Sequence, residues 1–176
     1  GLDSADTSEL FFEDVQLPAE SLLGTEEGQG FAQLMNELPQ ERLLVATHAV
    51  AMMERALALT IDYVKQRQAF GKKIVEFQNT QFELAECKTE VTVARVFVDH
   101  CIERHIVGQL DTVTASMAKA HTTDLLGKVA DRCLQLFGGY GFMDEYPISR
   151  IFRDARVMRI YAGTNEIMNL LIARSL

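Results

Sequence analysis

At 176 residues and 48% apolar side chains, the chain has the length and composition of one globular unit with a sizeable core. A net charge of −8 argues against a partner built on a phosphate backbone, though a local Arg pocket for a small anion stays open. No run of about 18 apolar residues marks a membrane span, and no basic stretch followed by an apolar one marks a signal peptide.

The chain opens on Gly1 rather than Met and enters mid-pattern, so a piece of a longer protein is expected. Residues 1–24 differ in pattern from the rest. Glu9 to Val15 (ELFFEDV) suits a strand, Pro18 ends it, and Leu22, Leu23 and Gly24 close the segment. A lone strand cannot satisfy its own edges, so its partners should lie outside this chain.

From Gly28 to about Gln66 the pattern is helical, and between Val45 and Leu59 it is apolar nearly all round. Such a helix is buried on several sides or used in assembly. Pro39 lacks an N–H and crowds the preceding turn, which predicts a kink or a start near it. Gln68 to Ile74, with Gly71, reads as a connection. A second helix is predicted from about Val75 to Val107, with Leu84, Cys87, Val91, Ala94, Val98 and Cys101 at spacings of three and four. Gly108 is its stop. Asp111 is the predicted N-cap of a third helix over Thr112 to Phe137, with a stripe of Ala118, Leu125, Val129, Cys133 and Leu136.

Beyond it, FGGYGF and YAGTN are glycine turns flanking one to two helical turns that begin at Pro147, a residue suited to a first helical position. GGYG follows a helical pattern rather than a strand, so a Rossmann reading is poor. A last helix is predicted from about Thr164 to the end. Three long helices and one shorter, with short links, predict an all-α antiparallel four-helix bundle over residues 25–176. Cys87, Cys101 and Cys133 at apolar positions read as buried free thiols. His48, His100, His105 and His121 show no metal-ligand spacing, and no metal site is predicted.

Four short motifs in this order resemble the C-terminal half of the flavin-dependent acyl-CoA dehydrogenases. They are Arg67, Phe70, Gly71, Ile74 and Gln78; Gln135, Gly138, Gly139 and Gly141; Arg153-Asp154-Ala155; and Ile160-Tyr161-Ala162-Gly163-Thr164. Each alone is weak, and on spacing alone Arg67 is a solvated last-turn cation, Gly138-Gly139 a helix C-cap and Thr164 an N-cap. The resemblance implies that residues 1–24 are the tail of a middle β-domain. It also implies FAD as cofactor, with Arg67 on the pyrophosphate, Phe70 and Gln78 against the cofactor, and Gln135, Gly138 and Gly139 at the adenosine end of a neighbouring subunit's FAD. An Arg suits pyrophosphate because it offers a planar fork of donors. Thr164 and Glu166 are further implied FAD contacts. Glu166 stands where many members have Gln, and an ionised Glu can only accept.

Many straight-chain members carry their catalytic Glu at the position of Ala162, which has no carboxylate. A subgroup resembling the long-chain and isovaleryl enzymes places it on the first long helix, just before an Arg, and this chain has Glu41-Arg42 there. Glu41 is therefore the implied base, although a solvent-facing helix carboxylate is the default for any Glu. Removing a thioester α-proton needs a desolvated carboxylate with a raised pKa. The enolate-like oxygen needs fixed donors, which the backbone N–H of Ala162 can supply. Arg42, Tyr161 and Gly163 are the implied substrate-side neighbours. The implied reaction is α,β-dehydrogenation of acyl-CoA to trans-2-enoyl-CoA, with electrons passed to an electron-transfer flavoprotein. A homodimer or homotetramer in a bacterial cytoplasm or a mitochondrial matrix is the implied setting. A non-catalytic helical scaffold or oligomerisation module is the rival from another class, and a flavin oxidase with the same bundle is a closer one.

Overall fold

Three long helices carry the fold in a computed structural model that describes residues 1–176. They are α1 (Gly30–Gln66), α2 (Gln78–Ile106) and α3 (Thr112–Phe137), followed by the shorter α4 (Pro147–Ala155) and α5 (Asn165–Ala173). Helix α3 is the hub and packs on α1, α2, α4 and α5. The fourth place in the bundle is thus shared by two short helices rather than filled by one.

The core is one cluster in which α1 gives Ala46, Ala49, Val50 and Met53, α2 gives Cys87, Val91, Ala94 and Val98, and α3 gives Ala118, Leu126, Val129 and Cys133. Small residues on α1 let the helices approach closely, and Met53 fills what they leave. Among the predicted stripes, only Leu84 and Leu136 are half-buried rather than buried. Helix α1 is long and apolar enough to cross a membrane, but this core takes up its main apolar face. Across the α2–α3 groove, Arg132 joins Glu83, Glu86 and Glu90, three carboxylates on successive turns of α2.

Local chemistry sets the ends of α3. Asp111 accepts the Thr114 N–H at 2.8 Å and its hydroxyl at 2.7 Å, a side-chain N-cap. Gly138 ends the helix at φ 58° and ψ −139°, a conformation open essentially to glycine alone. Pro147 is the first residue of α4. Thr164 caps α5, accepting the Ile167 N–H at 3.4 Å.

Three expectations are corrected. No strand forms over Glu9–Val15; the segment is exposed and without ladder bonds, because nothing in this chain pairs with it. Of the two expectations at Pro39, a start there is excluded, because helix α1 runs through it from Gly30. The proline removes the donor to the Met35 carbonyl, on a residue that is itself exposed. Helix α2 begins at Gln78, after a separate 3₁₀ turn over Ile74–Glu76, and α5 ends at Ala173.

Candidate active site and cofactor face

The predicted site residues fall on two faces. The first gathers at one end of the bundle, where α1 stops and α3 stops. After Arg67, β1 (Gln68–Ala69) and β2 (Lys72–Lys73) pair antiparallel, Ala69 opposite Lys72. Their two-residue link, Phe70 at φ 52° and Gly71 at φ 78°, has the positive φ at both positions that a type I′ turn requires. Holding a Phe there costs about 1 kcal/mol, yet its ring is 95% exposed at the tip. Its one aromatic neighbour is Phe77, edge-on with ring centres 6.4 Å apart. Gln78 opens α2 just beyond and is exposed.

The 3₁₀ turn Gly138–Phe142 lies beside this hairpin. The guanidinium carbon of Arg67 sits 5.3 Å from the centre of the Tyr140 ring. Behind them Tyr63 stacks on Phe137 with ring centres 4.1 Å apart, and the Tyr63 hydroxyl donates to the Phe137 carbonyl at 3.2 Å. Burial pushes the Tyr63 pKa up, and the nearby Arg67 charge opposes that. The turn after α3 is thereby pinned to the end of α1, which brings Arg67 toward Gly138 and Gly139. A Cβ on Gly139 would meet nothing within 4 Å, so no neighbour in this chain requires a glycine there. The open backbone is a cradle that a Cβ would narrow. Arg67, Gln78 and Gln135 are all exposed, with donors directed at no acid of this chain. This donor set fits a diphosphate-bearing flavin cofactor: a guanidinium fork, two amides and bare peptide.

The second face is built around Tyr161–Thr164. Ala162 at φ 53° and Gly163 at φ 89° are both left-handed, and the Ala162 N–H donates to no carbonyl of the chain. Tyr161 borders a small cavity of about 70 Å³ with His48, Met52 and Met158, and burial raises its pKa. Beneath the turn runs a buried polar chain. Arg42, 5% exposed, donates to the Ser116 hydroxyl at 3.4 Å. One turn further along α3, Lys119 is fully buried and donates to the Gly163 carbonyl at 2.7 Å and to Asn165 Oδ1 at 2.9 Å. The Asn165 amide nitrogen donates to Thr123 Oγ1 at 2.9 Å and Asp124 Oδ1 at 3.0 Å.

This chain ties the Glu41-Arg42 turn of α1 to the Ala162 turn through α3. Glu41 itself is exposed. Burial pulls the Arg42 pKa down while the adjacent Glu41 charge pushes it up. Nε of Arg42 is buried with no partner, an unclaimed donor. Burial pulls Lys119 down to about 8, with Arg42 acting in the same direction and Asp124 and Glu166 opposing. Glu166 lies in the first turn of α5, where its own backbone N–H and the Thr164 hydroxyl lower its pKa. Ser116, Lys119, Asn165 and Tyr140 are absent from the sequence-based candidates. Lys119 carried a usable signal: it interrupts SMAKA on a face whose neighbours Ala115, Ala118 and Leu126 are buried.

Residues 28–176 match the family model for the acyl-CoA dehydrogenase C-terminal domain. The chain belongs to the acyl-CoA dehydrogenase family. It is 54% identical over its full length to the mitochondrial long-chain specific acyl-CoA dehydrogenase of Sus scrofa, of which it covers 41%. The short-chain specific acyl-CoA dehydrogenase of Megasphaera elsdenii is 42% identical over 95% of the chain and 43% of that protein. Among solved structures, acyl-CoA dehydrogenase from Geobacillus kaustophilus superposes with a TM-score of 0.90 at 52% identity, covering 94% of this chain and 43% of the other. The chain therefore spans less than half the length of these acyl-CoA dehydrogenases, and it has their C-terminal helical fold.

Proposed function

We propose that this chain is the part of an acyl-CoA dehydrogenase that supplies the proton-abstracting base, one enolate-side donor and part of the FAD-binding surface. One observation carries the reading. The buried chain Arg42–Ser116–Lys119–Gly163 joins the helix turn bearing Glu41 to a left-handed turn whose Ala162 N–H has no acceptor of its own. An acid and an unclaimed donor held on one rigid support suit removal of a proton next to a thioester carbonyl.

Glu41 takes the α-proton, and entry of an apolar acyl chain desolvates and so raises that carboxyl. The Ala162 N–H donates to the thioester oxygen as negative charge builds there. The neighbouring Arg42, bonded to Ser116, fixes the helix turn that carries Glu41. Arg67, Gln78, Gln135 and the Gly138-Gly139 backbone would hold FAD, with Phe70 against it; Thr164 and Glu166 extend the same contact. When bound, FAD supplies a two-electron acceptor for the β-hydrogen. The product is the trans-2-enoyl-CoA, and an electron-transfer flavoprotein takes the electrons onward. Residues 1–24 belong with a β-domain that pairs the Glu9–Val15 segment. Exposed Phe31, Leu34, Met35, Phe82 and Val96 are covered in a homodimer or homotetramer, in a bacterial cytoplasm or a mitochondrial matrix.

The test is anaerobic bleaching of the flavin in the full-length protein, titrated with acyl-CoAs of several lengths. Bleaching is expected in the parent and absent in Glu41→Gln, which should keep its FAD. Full bleaching by Glu41→Gln would move the base elsewhere. A protein isolated without FAD would remove the roles of Arg67, Gln78 and Gln135 together.

A further inference from the structure

Lys119 is the largest fully buried side chain in the molecule, and it is charged. No carboxylate lies within ion-pair distance of it. Its ammonium instead spends two of its donors on neutral oxygens, the Gly163 carbonyl and Asn165 Oδ1. Burying a charge on neutral acceptors alone is costly, so a lysine kept solely to fill the core would be better replaced by methionine. Both acceptors belong to one short stretch. Gly163 follows Ala162 directly, and Asn165 is the first residue of α5. The two bonds therefore grip the Ala162–Gly163 turn from both sides of Thr164. That turn needs holding, because consecutive left-handed residues, one of them alanine, are not a conformation the chain prefers.

We propose that Lys119 is a positioning residue for the active site. Its ammonium clamps the Gly163 carbonyl and the Asn165 side chain, fixes the left-handed peptide at Ala162, and so aims the Ala162 N–H. Lys119 touches no substrate; it acts through the turn. The clamp rests on this geometry alone, whereas its consequence for turnover rests on the donor role given to Ala162 above. The groups facing the ammonium are Arg42 on α1, Asp124 on α3 and Glu166 on α5, and Arg159 reaches toward the same Asp124. Arg42 and Lys119 repel, so the pair keeps a positive field under the turn. Such a field favours negative charge on an oxygen bound there.

The experiment compares Lys119→Met and Asn165→Ala with the parent in the full-length, FAD-loaded protein. The first readout is hydrogen exchange over the segment from Ile160 to Met168. There the Ile160 and Tyr161 N–H groups bond Val157, and the Met168 N–H bonds the Thr164 carbonyl. Lys119→Met should speed exchange in this segment at least tenfold while the middle of α3 and the whole of α2 are unchanged. Asn165→Ala, which leaves the bond to Gly163, should speed it by a smaller factor and keeps the test alive if the first variant does not fold. The second readout is steady-state kinetics, where Lys119→Met should lower kcat at least tenfold and leave KM within about threefold. Unchanged exchange in the segment for a folded variant, or equal acceleration throughout α3 and α2, would overturn the clamp. Faster exchange with kcat intact would support the clamp and remove the donor role of Ala162, so the two readings fail separately.

Discussion

Replacing Lys119 by Met should change how stability responds to pH, and the size of the change follows from where the ammonium sits. Burial brings its pKa down to about 8 in the folded chain, against about 10.4 for a solvated lysine. Between those values the unfolded chain holds a proton that the folded chain has released. Stability contributed by this group therefore rises with pH across that window. It is fully present above the unfolded pKa and lost as pH falls through the folded one. A gap of two to two and a half units is worth about 3 kcal/mol at 1.36 kcal/mol per unit. Urea unfolding of the chain and of Lys119→Met at pH 7, 8, 9, 10 and 11 measures it. Tyrosines and cysteines also titrate there, but they are common to both proteins and cancel in the difference. Parent stability minus variant stability should climb by about 3 kcal/mol, most steeply between pH 8 and 10.5. At pH 7 the difference is small, since Met removes a buried charge but leaves the Gly163 carbonyl and Asn165 Oδ1 unpaired. A flat difference would mean that the ammonium is solvated in the folded chain, and the reasoning from burial would fail. A falling one would mean that a carboxylate holds the charge.

Asp111→Ala removes the side-chain cap of α3 and should cost about 1 kcal/mol in urea unfolding at neutral pH. Because the Thr114 amide holds the Asp111 carboxyl below its usual range, the parent's advantage should vanish as pH falls through that lowered pKa. Gly138→Ala forces a Cβ into φ 58°, ψ −139° and should destabilise by roughly 1–3 kcal/mol; a neutral result would show that the turn relaxes. Ala162→Gly relieves a left-handed alanine and should stabilise by up to about 1 kcal/mol, read as a higher urea midpoint at unchanged slope. Arg67→Ala in the full-length protein should lower FAD retention on gel filtration, with a larger loss at high salt in the parent than in the variant.

What could be read from the sequence was what local chemistry decides. Helix α3 is legible almost to the residue, because Asp111 starts it by a side-chain bond and Gly138 ends it by a backbone angle. The same holds for Pro147 and Thr164. The strand over Glu9–Val15 is not legible in this way. A strand's bonds lie with other strands, and alternation in one segment cannot supply them. Pro39 left two outcomes open, a kink or a start, for a related reason: its penalty depends on whether the freed carbonyl reaches water, a property of packing that the sequence does not display. The proposed cofactor face was visible as residue types in Arg67, Gln78 and Gln135. Its convergence needed Tyr63 and Tyr140, which pin one helix end to another across a long sequence separation. Lys119 is the instructive omission. Its position in the buried stripe of α3 was visible, but a lysine reads as surface unless one asks which face it occupies.

That omission bears on why Ala162 would be compatible with the proposed site. If the side chain at this position shaped the turn, loss of a carboxylate there would disturb the backbone as well as the base. The turn is instead held from below, at Gly163 and Asn165, by a lysine on another helix. On the proposed clamp, the direction of the Ala162 N–H does not depend on what residue 162 carries beyond its Cβ. On the proposed roles base and donor are separable parts: the donor is a fixed peptide, and the acid stands on a helix turn anchored to the same support. For the proposed base Glu41 that anchor would be Arg42, whose guanidinium reaches Ser116, one turn before Lys119 on α3. On this view the buried row Ser116–Lys119–Thr123 is the frame of the site. Moving the carboxylate from the turn to α1 needs only that both remain bolted to that frame.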